Sequence, residues 1–206
     1  MAEFRPSLTD EGQQGLKAEI FLYDTLPGGA GFATQLIELG TGLFERALQI
    51  LQHCPEQCDA SCYRCLRSFK NKFEHRLLDR HVGTELLQYL LTGQLPAFDP
   101  VRTDKSTTLL FEDLSRQEHD GISYERHAQI QVQGLGTVPV PIFAITQGGE
   151  QFIIAVSGPL TAGHPADPAL WQINEPSDVQ VIVINELAVR GNLPAATHEV
   201  RGRLGT

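Results

Sequence analysis

Four cysteines, at positions 54, 58, 62 and 65 of HCPEQCDASCYRC, are all the cysteine this chain has. A thiolate is a soft anionic ligand, and four on one short segment can converge on a single ion without help from distant parts of a fold. The spacing of three, three and two intervening residues is tighter than that of two separated CxxC knuckles, so one continuous loop must wrap the ion. The chemistry that fits is a closed tetrahedral zinc site, one Zn2+ per chain, with Cys54, Cys58, Cys62 and Cys65 as ligands. Such a shell leaves no position for substrate, which makes the site structural. His53 adjoins the first ligand, but four thiolates complete the shell without it. Two disulfides or free buried thiols are the readings that a reducing compartment disfavours; an iron–sulfur cluster takes the same four ligands.

The charge around this loop is uneven. The 206 residues carry 16 Lys and Arg against 25 Asp and Glu, a net −9. That balance excludes a protein whose whole surface binds nucleic acid, which needs clustered positive charge. Yet residues 64–80 hold Arg64, Arg67, Lys70, Lys72, Arg76 and Arg80 against Glu74 and Asp79 alone, net +4, leaving −13 for the rest. These six cations are the candidate DNA contacts, a basic run attached to a metal-pinned loop. No apolar run reaches the roughly 18–20 residues that span a bilayer, and MAEFRPSLTDEG has neither part of a secretory signal. The expected location is the cytoplasm.

The elements that must position this loop can be read on either side of it. EIFLYD, residues 19–24, has the β-branched and aromatic content of a strand. TLPGGAG then forces a turn, and Phe32, Leu36, Leu39, Leu43, Ala47 and Ile50 recur at helical spacing up to the cysteines. The PGGAG turn lacks a following Lys and the full GxGxxG spacing, so it reads as a tight turn before a phosphate cradle. A second helix is predicted from about His75 to Leu91 on the stripe Leu78, Val82, Leu86 and Tyr89.

LYDTLPGGAGF, the four cysteines, and then Leu66, Ser68, Phe69, Asn71 and Leu78–Arg80 together resemble the zinc-binding domain at the C-terminus of mitomycin-repair-type DEAD/DEAH-box helicases. The same domain is known in a subunit of DISARM-type phage defence systems. The resemblance covers about residues 19–92. It implies a zinc-stabilised accessory domain that works with a superfamily 2 helicase on DNA in repair or antiviral defence, with the four cysteines as its metal ligands. No GxxxxGK[ST] loop and no DEAD or DEAH sequence is present, so ATP hydrolysis is expected from a helicase in trans or from a larger parent chain. The chain itself is read as non-catalytic. The family domain extends upstream of the LYDT strand, where this sequence has a short polar lead-in, so the sheet that strand joins is expected to be completed elsewhere.

The remainder changes character. TGQLPAFDPVRTDKSTT is polar and aperiodic, and residues 95–107 read as a linker between a zinc domain at 1–94 and a second domain at 108–206. RHAQIQV, VPVPIFAI, QFIIAV and VQVIVIN read as strands of a small mixed sheet, the last as a central buried strand. The expected fold is α/β (α+β): a zinc-stapled strand–helix–loop–helix domain, then a mixed-sheet domain. The order of the second domain resembles a PD-(D/E)xK nuclease core in degenerate form, because Pro141–Ile142 and Ala155–Val156–Ser157 stand where such a core needs carboxylates and a Lys. Ser157, His164 and Asp167 lie near one another in sequence, but no GxSxG elbow surrounds the serine. Two further readings follow: a pure assembly module that makes no DNA contact, and a nuclease-like enzyme.

Overall fold

The computed structural model describes residues 2–7, 17–24, 31–95, 97, 99–116, 121–161, 163–173 and 178–205. The chain divides into two compact units, residues 1–92 and 93–206. No helix among the described residues is long and apolar enough to cross a membrane.

Unit 1 opens with strands β1 (Ala2–Ser7) and β2 (Lys17–Leu22), paired antiparallel from Ala2↔Leu22 to Ser7↔Lys17. The upstream segment, read as a polar lead-in, thus contains a strand. It carries Pro6, which has no amide to donate to a ladder, the usual sign against a strand. Residues 25–30, most of the expected Gly-rich turn, lie outside the described residues. Beyond them Gly31 stands at φ 75 before helix α1 (Phe32–Leu39), whose Ala33 amide donates to the Asp24 carboxylate at 3.4 Å. The single helix expected over 32–50 is two. Gly40, at φ 53 and ψ −127, ends α1 in a conformation that L side chains rarely adopt, and α2 follows at Gly42–Gln52.

The second helix also starts later than its periodicity predicts. His75–Leu77 is a single 3-10 turn, and helix α3 runs Arg80–Thr92. Asp79 sets that start: its carboxylate accepts from the His81 and Val82 amides at 2.8 and 3.3 Å, satisfying donors that a helix beginning leaves open. α3 packs on α2. Gly83 permits the close approach, since a Cβ there would lie 2.9 Å from Leu51 Cδ1. Among residues 31–92, the buried ones are Leu51, Cys54 and Ser61. The apolar stripe therefore does not make a closed core: Phe32, Leu39 and Ile50 are exposed.

Unit 2 begins with helix α4 (Pro100–Ser115), so residues 100–107 of the expected linker are helical, with Arg102, Ser106 and Thr107 buried. The Asp99 carboxylate caps it by accepting from the Val101 amide at 2.8 Å, and Pro100 stands where an amide has no helical partner. Strands β3 (Ser123–Val132), β4 (Gly136–Ile145), β5 (Gln151–Ser157) and β6 (Val179–Asn185) form one sheet in that order, antiparallel except for the parallel β5–β6 pair. Helices α5 (Glu186–Gly191) and α6 (Leu193–Leu204) end the chain's described part. The strand buried on both faces is β5, not VQVIVIN, which takes the end of the sheet order.

One face of the sheet presents Ile142, Ala144, Phe152, Ile154, Ile182 and Ile184 to Leu110 and Leu114 of α4, Val189 of α5 and Val200 of α6. Ala128, Ile130, Val138 and Val140 instead join Ile153, Ala155, Leu170 and Val179 in a second cluster. Residues 140 and 142 share a strand parity yet serve different clusters, so the β3–β4 ribbon bends between them. His127, at φ 52, and Pro141 sit opposite each other there, and their pairing is missing from an otherwise continuous register. A strained residue facing one with no amide is a natural place for a ribbon to turn.

A buried ion pair ties the two ends of unit 2 together. Arg102 donates to both oxygens of Glu186 at 2.8 and 2.9 Å, and the carboxylate is fully buried. Arg190 lies 3.4 Å from the same group. Removing one partner strands the other without compensation. Glu186→Gln is expected to lower the stability of unit 2 by about 3–5 kcal/mol, read by urea unfolding on the fluorescence of Trp171, the chain's single tryptophan. Pairing it with Arg102→Met is expected to recover much of that loss, since the buried Arg102 charge is removed with its partner and Arg190 reaches solvent.

Candidate metal centre

The four cysteine sulfurs form a compact cluster between α2 and α3. The Sγ–Sγ separations are 3.5 Å for Cys54–Cys62, 3.7 Å for Cys58–Cys65, and 3.8 Å for both Cys54–Cys58 and Cys62–Cys65. All four lie within 4.8 Å of one another. A regular tetrahedron with metal–sulfur bonds of about 2.3 Å has edges of about 3.8 Å. The cluster therefore has the size of one ion. It is too open for disulfides, whose sulfurs sit about 2.05 Å apart, and too small for a cluster of several irons. His53 stays out of it, its Nδ1 donating to the Gln49 carbonyl at 3.1 Å. Cys54, Cys58, Cys62 and Cys65 are positioned to hold one zinc ion.

The backbone prepares this convergence. The Cys62 carbonyl accepts from the amides of Cys65, Leu66 and Arg67, curling the second half of the loop. The Cys62 amide donates to Cys65 Sγ at 3.3 Å, and the Arg64 amide to Cys62 Sγ at 3.4 Å. In the first half Gln57 adopts φ 43, its amide bonded to the Cys54 carbonyl at 2.9 Å.

Electrostatics explains why the cluster calls for a cation. Burial, joined by the surrounding Cys65, Cys62 and Cys54 thiols, pushes the Cys58 thiol up to about 12. Burial also raises Cys62. Burial acts the same way on Cys54, but hydrogen bonds with Cys62 and with the amides of Glu56 and Cys58 outweigh it and bring that thiol down to about 7. One thiolate is thus readily formed, and a second beside it is resisted. Four thiolates coexist there only around a metal ion.

The residues that follow are set by this loop, and the six cations predicted to meet DNA separate into two groups. Arg80 faces inward. Its Nε donates to the Cys58 carbonyl at 2.7 Å and its NH1 to the Leu51 carbonyl at 3.0 Å, while its amide bonds the Ala60 carbonyl. It clamps the loop to the end of α2, and leaves the set available to a ligand. Arg67 is half-buried, its Nε donating to Ser61 Oγ at 2.9 Å. Arg64, Lys70, Lys72 and Arg76 are exposed. Between them, Ser68 and Asn71 form a reciprocal capping box around a 3-10 turn, Phe69–Asn71, and Asn71 Nδ2 donates to the Leu66 carbonyl at 2.9 Å. His75 Nε2 adds a donor to Ser68 O and Asn71 Oδ1, and its ring meets Tyr63 edge-on.

A further basic feature lies outside the sequence-predicted run. Arg46, Gln49, Ile50, His53, Pro55 and Arg64 line a cavity of about 450 Å³. Arg46 and His53 stand on and just after α2, so only folding brings them to Arg64. A charge count along the chain has no means of finding them.

In unit 2, the positions compared with a nuclease core hold no acid. Pro141, Ala155 and Val156 line a cavity of about 540 Å³ whose carboxylates, Asp104 and Asp167, come from α4 and a loop. Asp104 is bound to Arg126 at 2.6 Å, and Asp167 accepts from the Ala169 amide at 2.9 Å. Asp167 is thereby a turn cap and His164 packs against Trp171, while Ser157 Oγ is buried among other residues without a hydrogen bond. The three do not assemble as a triad.

Comparison with known proteins supports the metal assignment. Residues 3–66 match the family model of the MrfA Zn-binding domain. The match begins in β1 and closes just after the fourth cysteine. The chain is also 29% identical, over 194 residues and 93% of its length, to the Druantia protein DruE of Escherichia coli, of which it spans about 10%. An uncharacterized protein of Methanocaldococcus jannaschii is 34% identical over 76 residues, 37% of this chain and 66% of that protein. No solved structure matches the chain. Purified untagged protein is expected to be colourless and to contain one zinc per chain by elemental analysis. Cys58→Ser or Cys62→Ser should drop that content well below one and remove α2–α3 helicity from the circular dichroism spectrum; full helicity without zinc would refute a structural role.

Proposed function

We propose that this chain, with the MrfA-type zinc-binding domain at residues 3–66, is a non-catalytic accessory part of a superfamily 2 helicase system acting in DNA repair or anti-phage defence. The reading draws on the family match and on similarity to the Druantia protein across both units. Because the chain spans about a tenth of that relative's length, the motor is assigned to a larger parent chain or to a DEAD/DEAH-box helicase in trans.

The observation that carries a DNA role is the exposed set Arg64, Lys70, Lys72 and Arg76 on a segment locked by the zinc loop. Cations on a fixed backbone bind phosphate without first ordering a mobile loop. The cavity bearing Arg46, His53 and Arg64 adds a concave place for one phosphate oxygen set beside that ridge. A second reading, a protein-assembly module without DNA contact, is favoured by exposed apolar side chains on α1, where Ile37 is 81% exposed.

The two readings differ in salt dependence. A cation that neutralises a DNA phosphate releases a counterion, so removing one such cation flattens the slope of log affinity against log salt by roughly 0.7–0.9. Replacing Arg64, Lys70 and Arg76 together by Gln should weaken DNA binding by the full chain, measured by fluorescence anisotropy, and reduce that slope by about 2 to 3. Zinc content should not change. An unaltered slope would leave the assembly reading in possession.

A further inference from the structure

Two phenylalanines stand out beside the metal loop. Phe69 is 76% exposed and Phe73 81%, each in the middle of the basic run. Lys72 lies between them, its Nζ 4.7 Å from the centroid of Phe69 and 4.9 Å from that of Phe73. The two rings therefore flank one ammonium. Their backbone is not a free loop: the Ser68–Asn71 capping box, the Asn71 bond to the Leu66 carbonyl and the His75 contacts fix the turn carrying Phe69, and the zinc loop fixes Leu66. Exposed single apolar residues are ordinary on any surface. A pair of phenyl rings around one ammonium, beside a fixed turn and interleaved with Lys70, Lys72 and Arg76, is a different object.

We propose that Phe69 and Phe73 form a stacking platform for unpaired bases of single-stranded DNA, with Lys70, Lys72 and Arg76 neutralising its backbone. This deepens the DNA-contact reading above and rests on it. Phenyl rings offer a π-face and no hydrogen-bonding groups, so they accept any base and read no sequence. In a duplex the base faces are already stacked on each other and are closed to a side chain; in a single strand they are free. The charge pattern selects this occupant over an apolar protein surface. Lys72 held across both rings would be desolvated without compensation beneath an apolar partner, whereas a strand brings a phosphate for each base it stacks. The platform would distinguish strand state and leave sequence unread, the property a helicase-associated surface needs at the point where strands part.

The test compares the full chain with Phe69→Leu and Phe73→Leu, singly and together, on fluorescein-labelled oligothymidylate, oligouridylate of equal length, and a mixed-sequence duplex. Leucine keeps apolar bulk and removes the stacking face. Each substitution is expected to weaken oligothymidylate binding about tenfold, with duplex binding nearly unchanged and one zinc retained. Phe73→Trp is expected to preserve affinity and, in a Trp171→Phe background, to lose fluorescence when oligothymidylate is added. If the leucine variants bind the single strand as the parent does while the Arg64, Lys70 and Arg76 replacements weaken it, stacking is refuted and the DNA reading survives. If the parent binds none of the three probes, both fall together. Equal losses on the single strand and the duplex would mean that the rings merely support the fold, and would also overturn the proposal. Stronger effects on oligouridylate would redirect it to RNA.

Discussion

Four sulfurs brought to within 3.5–3.8 Å of their neighbours in the cluster are what α2, α3 and the loop between them depend on. Their mutual repulsion, once ionised, opposes the arrangement, and a cation at the centre reverses its sign. Among residues 31–92, burial is confined to Leu51, Cys54 and Ser61. These elements bury few apolar side chains completely, so hydrophobic association between them is weak. Metal ligation takes that place, and Arg80 passes the constraint on by gripping carbonyls at the end of α2 and inside the loop. The exposed cations and rings downstream inherit their positions from it.

Unit 2 is stabilised the other way. β5 is buried on both faces, two apolar clusters sandwich the sheet, and the one buried ion pair among the described residues is satisfied by a bidentate contact. The bend at His127 and Pro141 lets a single ribbon supply both clusters. It also opens the larger cavity, whose strand-borne wall is Pro, Val and Ala where a hydrolytic metal site would place acids.

What can be read from the sequence is what is local. The cysteine ligands are set by spacing within twelve residues, and the four strands of unit 2 by runs of apolar β-formers. Strand β1 is hidden because Pro6 argues against a ladder that the hairpin nevertheless forms. Helix α4 looks like linker because Thr103, Asp104, Lys105 and Ser106 give it a polar first half; the Asp99–Pro100 start signal is present and outweighed by composition. VQVIVIN looks central because apolar content reports burial and not sheet order, and the helices on one face supply that burial. Arg80 looks like its basic neighbours because linear charge says nothing of direction, and the convergence of Arg46, His53 and Arg64 exists only after α2 has packed.

The Arg102–Glu186 pair joins residues 84 positions apart. The zinc loop, by contrast, closes over a dozen. On a growing chain, contacts of short separation form as soon as their residues emerge, while distant ones wait for their partners and bear a larger loop-closure cost. The zinc loop can thus close during synthesis, at a stage when α4 still shows Leu110 and Leu114 to solvent for want of α6. The second unit is sealed by α6, so removing that helix would leave the zinc loop intact and turn the other unit into an aggregation-prone fragment.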